Sequence, residues 1–290
     1  MFDGTYVAIV TPFREGRIDR EALSKLIEHL VDAGVDGIVP CGTTGESPTL
    51  SQQEHELLIE TAVELVRRRI RVIAGTGTND TAETVRRTRH AARCNADGAL
   101  IVAPYYNKPT QEGLYRHYAE VATQVDLPII VYNVPGRCGV EIESETIARL
   151  REDCERIVAV KHATGSVDSA SALRCACDIT ILSGDDSLTL PLISVGATGV
   201  ISVVANLVPA EMVELVRRAR NGELDRAREI HNRLFPLSRA MLSLESNPIP
   251  IKAALAMTGR ISEELRLPLC PLGEANRREL ARLMTEFGLL

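Results

Sequence analysis

Eight short apolar segments alternate along the first 205 residues with stretches of helical periodicity. Their residues are apolar on both faces, which is typical of strands in a parallel sheet that helices cover. Eight such units close naturally into a barrel, so we predict an α/β fold, a (β/α)8 TIM barrel, rather than the open doubly wound sheet that is the alternative. The predicted strands are residues 6–10, 37–39, 71–74, 99–102, 128–132, 157–160, 180–182 and 199–203.

Local signals place helix ends between these strands. Ser51 followed by Glu54 predicts a capping box, in which each side chain bonds the backbone of the other residue. Asp80 with Glu83 predicts a second start of this kind, and Gly34 stands where the first helix should end. These signals support the alternation of strand and helix that the barrel requires.

The strand signals stop after about residue 224, and helical periodicity continues beyond that point. The predicted helices of this part are residues 224–244, 250–257 and 273–287. We therefore expect a catalytic (β/α)8 barrel over residues 1–224 and a C-terminal helical region, an appendage to the barrel, over residues 225–290.

The charge balance argues against polyanionic partners. Lys and Arg number 33 against 39 Asp and Glu, which leaves a net charge of −6. No overall positive field gathers phosphates or anionic lipid, so we expect neither nucleic acid nor a membrane as a partner. Prolines and glycines break the uncharged stretch over residues 187–210, which predicts a helix, a buried strand and a loop rather than a membrane span.

The cysteines indicate a reduced, cytoplasmic protein. The seven cysteines are scattered without a C-x-x-C pair, which is typical of free thiols rather than of disulfides or a zinc site. Asp3 stands where a secretory signal would carry positive charge, so no export is expected. The six histidines show no H-x-x-x-H or H-E-x-x-H spacing, and residues 75–80 lack the third glycine of a dinucleotide fingerprint. We therefore expect no metal and no cofactor.

In barrels of this kind, catalytic residues follow the carboxyl ends of the strands, and a lysine stands after the sixth. Lys161 is one of four lysines among 33 basic residues, and it ends the apolar run over residues 157–160. In a poorly solvated barrel mouth, desolvation lowers the pKa of an amine, and a neutral lysine is a Schiff-base nucleophile. The alternative, a lysine that points from the strand end into water, has equal weight on this feature alone.

Polar residues after neighbouring strands could complete such a site, although each has a structural alternative. Tyr132 could exchange protons with the amine, or it could be a buried tyrosine with a bonded hydroxyl. Thr43 and Thr44 could supply hydroxyls, but bonding within their own turn is favoured for them. Arg137 could bind a carboxylate through its planar fork, or it could be a solvated surface arginine.

Together these motifs resemble the pyruvate-dependent class I aldolase family, and the similarity covers nearly the whole chain. As a set the motifs are highly specific for that family. They are GTTGE at 42–46, YYNKP at 105–109, YNVPGR at 132–137, Lys161 before ATG at 163–165, SGDD at 183–186 and NPIP at 247–250.

The resemblance implies a Schiff-base mechanism that needs no metal. Lys161 would form an imine with pyruvate, and the derived enamine would attack the aldehyde of L-aspartate 4-semialdehyde, a reaction of lysine and diaminopimelate biosynthesis. Tyr132 would be the central acid and base, and Thr43 would link it to Tyr106, which in the family reaches in from the neighbouring subunit. A homodimer or homotetramer is therefore implied.

The resemblance also implies the residues that bind the substrates. Thr44 and the backbone at Ile201 would hold the pyruvate end, Gly184 would line the pocket, and Arg137 would bind the carboxylate of the semialdehyde. An arginine in that turn favours the synthase branch of the family. The sibling lyases, N-acetylneuraminate lyase and the keto-deoxy sugar acid aldolases, share the lysine and the tyrosine and are the alternative.

A non-catalytic barrel that binds a keto acid is an alternative from a different class. Lys161, Tyr132 and Thr43 together argue against it, because a binding module needs neither a nucleophile nor a proton relay. His162 departs from the family, which more usually has an acidic residue after the lysine. This difference bears on the fine tuning of the site more than on the reaction class.

L-Lysine is a candidate inhibitor, because the family has a feedback site for it at the tight-dimer interface. Gln52 stands where inhibited bacterial members often have histidine. The positions that match the site are Ser47, Pro48, His55, Asn79, Glu83 and Tyr105.

Overall fold

The computed structural model describes residues 2–290, and over these residues eight parallel strands close into one barrel. Around the barrel the order is β1-β4-β5-β6-β7-β8-β9-β10, with β10 closing on β1, while β2 and β3 form a short hairpin. The predicted barrel is confirmed. The strands are β1 (Gly4–Ala8), β2 (Phe13–Arg14), β3 (Arg17–Ile18), β4 (Gly37–Val39), β5 (Arg71–Gly75), β6 (Gly98–Val102), β7 (Ile129–Asn133), β8 (Ile157–His162), β9 (Thr180–Ser183) and β10 (Gly199–Ser202).

Helices follow the barrel strands and cover the outside of the sheet. Three short 3-10 turns, Ser47–Thr49, Asp186–Leu188 and Val204–Asn206, lie among them. The helices are α1 (Arg20–Asp32), α2 (Gln52–Val66), α3 (Thr81–Arg93), α4 (Gln111–Gln124), α5 (Pro135–Cys138), α6 (Ser144–Asp153), α7 (Val167–Ala176), α8 (Thr189–Ser194), α9 (Pro209–Arg220), α10 (Leu224–Ser243), α11 (Ile249–Met257) and α12 (Glu274–Phe287).

The first strand lies two residues earlier than its apolar run predicted. Gly4 pairs with Gly199 of β10, and a Cβ on Gly199 would lie 2.0 Å from the Gly4 carbonyl oxygen, so the two chains approach too closely for a side chain there. Ile9 and Val10 are buried like strand residues, but the Val10 N–H donates to the Asn206 side chain instead of a neighbouring strand. Buried apolar residues therefore continue for two positions beyond the end of β1.

The local helix signals are confirmed. The Ser51 hydroxyl accepts from the Glu54 N–H, and the Glu54 carboxylate accepts from the Ser51 N–H, which completes the capping box. At the start of α3 only half of the second box is present: Asp80 accepts from the Glu83 N–H, but the Asp80 N–H donates to the Thr78 hydroxyl. Gly34 has a φ of +77° directly after the end of α1. Side-chain capping of this kind stabilises a helix by about 0.5–2 kcal/mol.

The core lies inside the barrel and between the barrel and its helices. All residues of β1 and β7 are buried, which agrees with the run of apolar residues on both strand faces. Ile38, Ile73 and Ile101 are fully buried. Removing one such side chain from water stabilises the fold by about 1.5–3 kcal/mol.

The C-terminal helices match their predicted ends within one residue, and a buried ion pair joins them to the barrel. The Lys252 ammonium on α11 lies 2.6 Å from the Glu46 carboxylate in the loop after β4, and both side chains are fully buried. Lys252 also donates to the Thr11 carbonyl, and Glu46 accepts from the Arg266 N–H. The C-terminal region thus reaches the loops of the barrel mouth, and its division from the barrel at residue 224 stays a prediction.

The uncharged stretch over residues 187–210 contains α8, β10 and a 3-10 turn, as predicted. Within residues 2–290, none of the helices has both the length and the apolar character that crossing a bilayer requires.

Candidate active site

Lys161 and Tyr132 are paired neighbours at the carboxyl ends of β8 and β7. The Lys161 ammonium nitrogen lies 4.3 Å from the centre of the Tyr132 ring. Both residues are buried, with 5% and 7% of their surface exposed. The lysine therefore does not point into water, and the solvated alternative for it is excluded.

The surroundings of Lys161 favour its neutral form. Burial lowers the pKa of the amine to about 8, and the positive charge of Arg137 acts in the same direction. The carboxylates of Asp185 and Asp186 oppose the shift. A large fraction of the amine is therefore unprotonated near pH 8, as nucleophilic attack requires.

Tyr132 is kept in its protonated form. Burial raises the pKa of its hydroxyl to about 12, while the charge of Arg137 and a hydrogen bond with the Thr43 side chain act in the opposite direction. Asp185 adds to the upward shift. The hydroxyl is thus a proton donor at neutral pH, next to an amine that is partly deprotonated.

A cavity of about 320 Å³ opens beside this pair. Thr43, Tyr132 and Arg137 lie in its wall, so the structure brings three of the predicted site residues together around one space. A cavity of this size fits small substrates. Lys161 is not in the wall itself and contacts it through the ring of Tyr132.

Backbone hydrogen bonds close the loop after β4. The hydroxyls of Thr43 and Thr44 are therefore not needed to close it and can bond other groups. The Gly45 N–H donates to the Gly42 carbonyl, and the Glu46 N–H donates to the Thr43 carbonyl. The Thr44 hydroxyl accepts a hydrogen bond of 3.0 Å from the Asn247 side chain. For Thr44, the favoured interpretation, a hydroxyl bonded within its own turn, is therefore wrong.

Asn247 is a site residue to which the sequence analysis assigned no role. Besides bonding Thr44, it accepts a hydrogen bond of 3.3 Å from the Arg137 guanidinium at its backbone carbonyl. Its side-chain oxygen is buried without a hydrogen-bond partner. The NPIP motif was the available signal, but its position in the C-terminal helical region gave no reason to place it at the barrel mouth.

Two aspartates of the SGDD motif follow β9 and differ in their partners. Asp186 is buried and accepts hydrogen bonds from the N–H groups of Val203 and Val204, which gives it a structural role. Burial raises the pKa of Asp185, and the charge of Lys161 lowers it. Asp185 therefore acts on the Lys161 amine through its charge. Like Asn247, it is a residue whose role could not be recognised from the sequence.

Gly184 lies in the turn directly after β9, and Ile201 lies on β10, the next strand around the barrel. A Cβ on Gly184 would lie 2.6 Å from the Ala163 side chain, so only glycine fits between this turn and the end of β8. Ile201 is fully buried in β10. Neither residue is in the wall of the cavity, and their roles in binding stay predictions.

His162 points away from the barrel interior, because successive side chains alternate along β8. Its ring nitrogen lies 3.2 Å from the Ser169 hydroxyl and 3.3 Å from that of Thr164. Burial lowers the pKa of His162 to about 4, so the ring is neutral at physiological pH. Its direct neighbours are thus the start of α7 and the loop before it rather than the Lys161 amine.

Tyr106 is the predicted catalytic residue that the single chain does not bring to the site. Its side chain is 89% exposed, and its backbone has a φ of +75°, a strained value for a residue with a side chain. The cavity wall contains Tyr105 instead.

Half of the six residues that match the lysine site lie at the same cavity. Ser47, Pro48 and Tyr105 are in its wall. His55 is buried behind it, where its ring nitrogen lies 2.8 Å from the Gly75 carbonyl oxygen. Burial lowers the pKa of His55 to about 4, and the nearby charge of Arg87 adds to the effect.

Glu83 is not a free carboxylate. It accepts hydrogen bonds from Arg86 and from Arg87, each with a closest distance of 2.7 Å. These bonds lower the pKa of Glu83 to about 2. Arg87 also lies in the cavity wall, and Asn79 accepts from the Asn107 side chain at its backbone carbonyl.

The cavity itself has no close group of metal-ligating side chains. Among residues 2–290, one such group is found, Glu60 with His90 and Cys94, and these residues are not in the cavity wall.

Comparisons with known proteins agree with this geometry. A 4-hydroxy-tetrahydrodipicolinate synthase of Geotalea uraniireducens is 52% identical over 292 residues, with full coverage of both chains. The crystal structure of dihydrodipicolinate synthase from Aquifex aeolicus is 50% identical, covers 99% of both chains and has a TM-score of 0.98.

Two further solved structures are described with ligands. One is a chloride-inhibited dihydrodipicolinate synthase from Acinetobacter baumannii in complex with pyruvate, with 43% identity, a TM-score of 0.97 and full coverage of both chains. The other is an enzyme of the same name from Cyanidioschyzon merolae with lysine bound, with 38% identity, a TM-score of 0.96 and coverage of 100% of this chain and 99% of that chain.

The profile of the dihydrodipicolinate synthetase family matches residues 1–287. With that match and with relatives about half identical along their full length, the chain belongs to the dihydrodipicolinate synthetase family.

Proposed function

We propose that this chain condenses pyruvate with L-aspartate 4-semialdehyde, the 4-hydroxy-tetrahydrodipicolinate synthase reaction of lysine and diaminopimelate biosynthesis. It is a lyase of the class I aldolase type, which acts through a lysine imine. One observation carries the proposal: the buried amine of Lys161 lies against Tyr132 at the ends of adjacent strands.

The first half of the reaction forms the imine. The neutral Lys161 amine attacks the keto carbon of pyruvate, and the resulting hydroxyl leaves as water once it is protonated. Tyr132 supplies this proton, because its raised pKa keeps the hydroxyl protonated at neutral pH. Thr43 orients the Tyr132 hydroxyl through their hydrogen bond.

The second half forms the carbon–carbon bond. The protonated imine draws electrons from the methyl group, which loses a proton and becomes the enamine carbon. That carbon attacks the aldehyde carbon of the semialdehyde, and the aldehyde oxygen takes up a proton to become a hydroxyl. The amino group of the semialdehyde then attacks the imine carbon, which closes the ring and releases Lys161 as a free amine.

Different residues bind the two substrates. Thr44 and the backbone at Ile201 hold the carboxylate end of pyruvate, beside Gly184. Arg137 binds the carboxylate of the semialdehyde through its guanidinium, which is exposed in the cavity wall. Its bond to the Asn247 carbonyl leaves further N–H groups for the substrate.

Tyr106 completes the proton relay from a neighbouring subunit, so the active form is a homodimer or a homotetramer. The support is the exposure of Tyr106 together with its left-handed backbone, which holds an aromatic side chain outward at an energetic cost of about 1–3 kcal/mol.

L-Lysine is an inhibitor that binds beside the active-site cavity. The support is the position of Ser47, Pro48 and Tyr105 in the cavity wall. Because Glu83 is already paired with Arg86 and Arg87, the ammonium of a bound lysine must share that carboxylate. We therefore expect weak inhibition.

The reaction requires no metal and no cofactor, since the imine itself is the electron sink. All seven cysteines are free thiols, which suits the reducing cytoplasm where this biosynthesis would take place.

Borohydride trapping tests the proposal. The protein is incubated with pyruvate and borohydride, with and without L-aspartate 4-semialdehyde, and the adduct is mapped by mass spectrometry. We expect an adduct on Lys161 that the semialdehyde suppresses, its absence in Lys161→Ala, and its retention in Lys25→Ala, a surface control. An adduct that the semialdehyde leaves unchanged would indicate a sibling aldolase, and no adduct would indicate a keto-acid-binding barrel.

A further inference from the structure

Three metal-ligating side chains converge on the outer surface of the barrel, between α2 and α3. Glu60 lies on α2, and His90 and Cys94 lie one turn apart at the end of α3. The His90 Nε2 atom lies 3.4 Å from a Glu60 carboxylate oxygen and 3.3 Å from the Cys94 sulfur. All three ligand atoms lie within 4.8 Å of one another.

A neutral His90 ring can bond only one of its two neighbours through Nε2 at a time. The Nε2 atom has one bonding position, which carries either a proton or a lone pair. With a proton, it donates to Glu60 and leaves the Cys94 thiol unused. Without one, it accepts from the Cys94 S–H, and its lone pair then faces the negative carboxylate of Glu60. A cation bound between the three atoms would accept a lone pair from each.

The two distances from His90 match the edges of a tetrahedral zinc site, and the third edge, from Glu60 to Cys94, is at most 4.8 Å. Zinc binds nitrogen and carboxylate oxygen at about 2.0–2.2 Å and thiolate sulfur at about 2.3 Å. In a regular tetrahedron, these bonds separate nitrogen from oxygen by about 3.4 Å and nitrogen from sulfur by about 3.6 Å. The observed separations of 3.4 Å and 3.3 Å are close to these values before any metal binds.

The ligand set itself carries the charge that suits a divalent cation. The carboxylates of Glu60 and Glu56 both lie close enough to the Cys94 sulfur to act on it electrostatically. Glu56 is paired with Arg86, which leaves Glu60 as the carboxylate available to a ligand. With a thiolate, a carboxylate and a neutral imidazole, the site would carry two negative charges.

Three arginines, Arg86, Arg89 and Arg93, line a surface depression next to His90 and oppose cation binding. Arg86 is neutralised by Glu56 and Glu83, and Arg89 is held by the Gln124 side chain. Arg89 and Arg93 therefore partly offset the two negative charges of the ligand set. For this reason we expect a cation to be held by direct bonds to the three ligand atoms and not by a general negative potential.

We propose that Glu60, His90 and Cys94 form a three-ligand site for a zinc-like divalent cation, with the fourth position open to water. A thiolate and an imidazole select such a cation over magnesium or calcium, which prefer oxygen ligands. The bound ion links α2 to α3, the two helices that also carry His55 and Glu83. Because none of its ligands lies in the cavity wall, the site is separate from imine chemistry.

Cobalt(II) titration of the chelator-treated full-length protein tests the site, since a cobalt–thiolate bond gives a charge-transfer band in the near ultraviolet. We expect one equivalent to bind with this band, zinc to displace it, and magnesium to leave it unchanged. The band should persist in the control Cys175→Ser, whose cysteine is exposed, and disappear in Cys94→Ser. Glu60→Gln should weaken binding about tenfold or more.

The band's absence in the wild type, or its persistence in Cys94→Ser, would overturn the proposal. Circular dichroism of each variant shows whether it is folded, and Glu60→Gln, at a half-exposed position, provides a second test if Cys94→Ser does not fold. Zinc should raise the unfolding temperature of the wild type and leave that of Cys94→Ser unchanged. Borohydride trapping of pyruvate should proceed equally in all variants, so failure of this site is distinguishable from failure of the proposed reaction.

Discussion

Asn247 donates a hydrogen bond to the hydroxyl of Thr44, a residue 203 positions earlier in the chain, while the Asn247 backbone accepts from Arg137. One residue of the C-terminal region thereby contacts a proposed ligand of pyruvate and the proposed ligand of the semialdehyde. Asn247, which we do not expect to react, thus fixes the position of Thr44 relative to Arg137.

Asn247→Ala should therefore reduce kcat/KM chiefly for pyruvate, because it removes the side-chain bond to Thr44 but keeps the backbone carbonyl that Arg137 bonds. We expect a loss of about tenfold or more, because misplacing substrate-binding groups by a fraction of an ångström costs much of the advantage of orientation. Steady-state kinetics with each substrate varied in turn measure it. Asn232→Ala, at an exposed position on α10, is the control and should retain wild-type kinetics.

The rate of imine formation should depend on pH through Lys161. Since the reactive form is the neutral amine with a pKa of about 8, the rate should reach a plateau above that pH. Below pH 8 it should fall about tenfold per pH unit. Rapid-quench trapping of pyruvate with borohydride measures the profile.

Two variants should shift this pH profile in opposite directions. Arg137→Ala removes a charge that lowers the pKa of Lys161, so its profile should move to higher pH. Asp185→Asn removes a charge that raises that pKa, so its profile should move to lower pH. Shifts of both variants in the same direction would contradict this account of the site.

Mixing two inactive variants should restore activity if Tyr106 acts across a subunit boundary. In a dimer of Tyr106→Phe with Lys161→Ala, one of the two sites has both an intact lysine and an intact tyrosine. After random reassembly we expect about a quarter of the wild-type activity. No recovery, with mixed dimers verified by mass spectrometry, would mean that each chain is self-sufficient.

Arg87→Gln should strengthen inhibition by L-lysine. The substitution removes one of the two arginines bonded to Glu83 and a positive charge from the cavity wall, both of which oppose a bound ammonium. We expect the half-inhibitory concentration to fall about threefold or more, as for loss of one modest charge interaction. Arg89→Gln, on the same helix but outside this cavity, is the control, and an equal response in both variants would argue against the Glu83 site.

Lys252→Met should destabilise the fold strongly, because it leaves the Glu46 carboxylate buried without its counter-charge. We expect a loss of about 3–5 kcal/mol in the free energy of unfolding, measured by urea denaturation. The double variant Glu46→Gln with Lys252→Met should recover part of this loss. Lys25→Met, which breaks an exposed pair with Glu21, should scarcely change stability.

The barrel could be predicted from the sequence because its evidence is local. Each strand is a separate apolar run, and a residue such as Ser51 or Asp80 caps a helix through contacts only three positions away. Lys161 and Tyr132 could be placed together for the same reason, since both end strands that are adjacent in the predicted order. The error at the first strand arose because Val10 is as apolar as a strand residue but bonds a distant side chain.

The rest of the site could not be predicted in this way, because its contacts join distant parts of the chain. No local pattern indicates that Asn247 would bond Thr44, or that Lys252 would bond Glu46. The cluster of Glu60, His90 and Cys94 escaped a search by spacing for a similar reason, since its carboxylate comes from a different helix. The preference of Thr44 for Asn247 over its own turn likewise depends on a residue that arrives from the C-terminal region.

The buried pair of Glu46 and Lys252 also bears on the order in which the protein matures during translation. The loop that carries Thr43 and Thr44 leaves the ribosome early, but its counter-charge on α11 is among the last forty residues to be made. A nascent chain that already contains all eight barrel strands has Lys161 for imine formation but still lacks Lys252. The loop after β4 is then without the counter-charge that Glu46 needs. Activity should then begin only when synthesis is nearly complete.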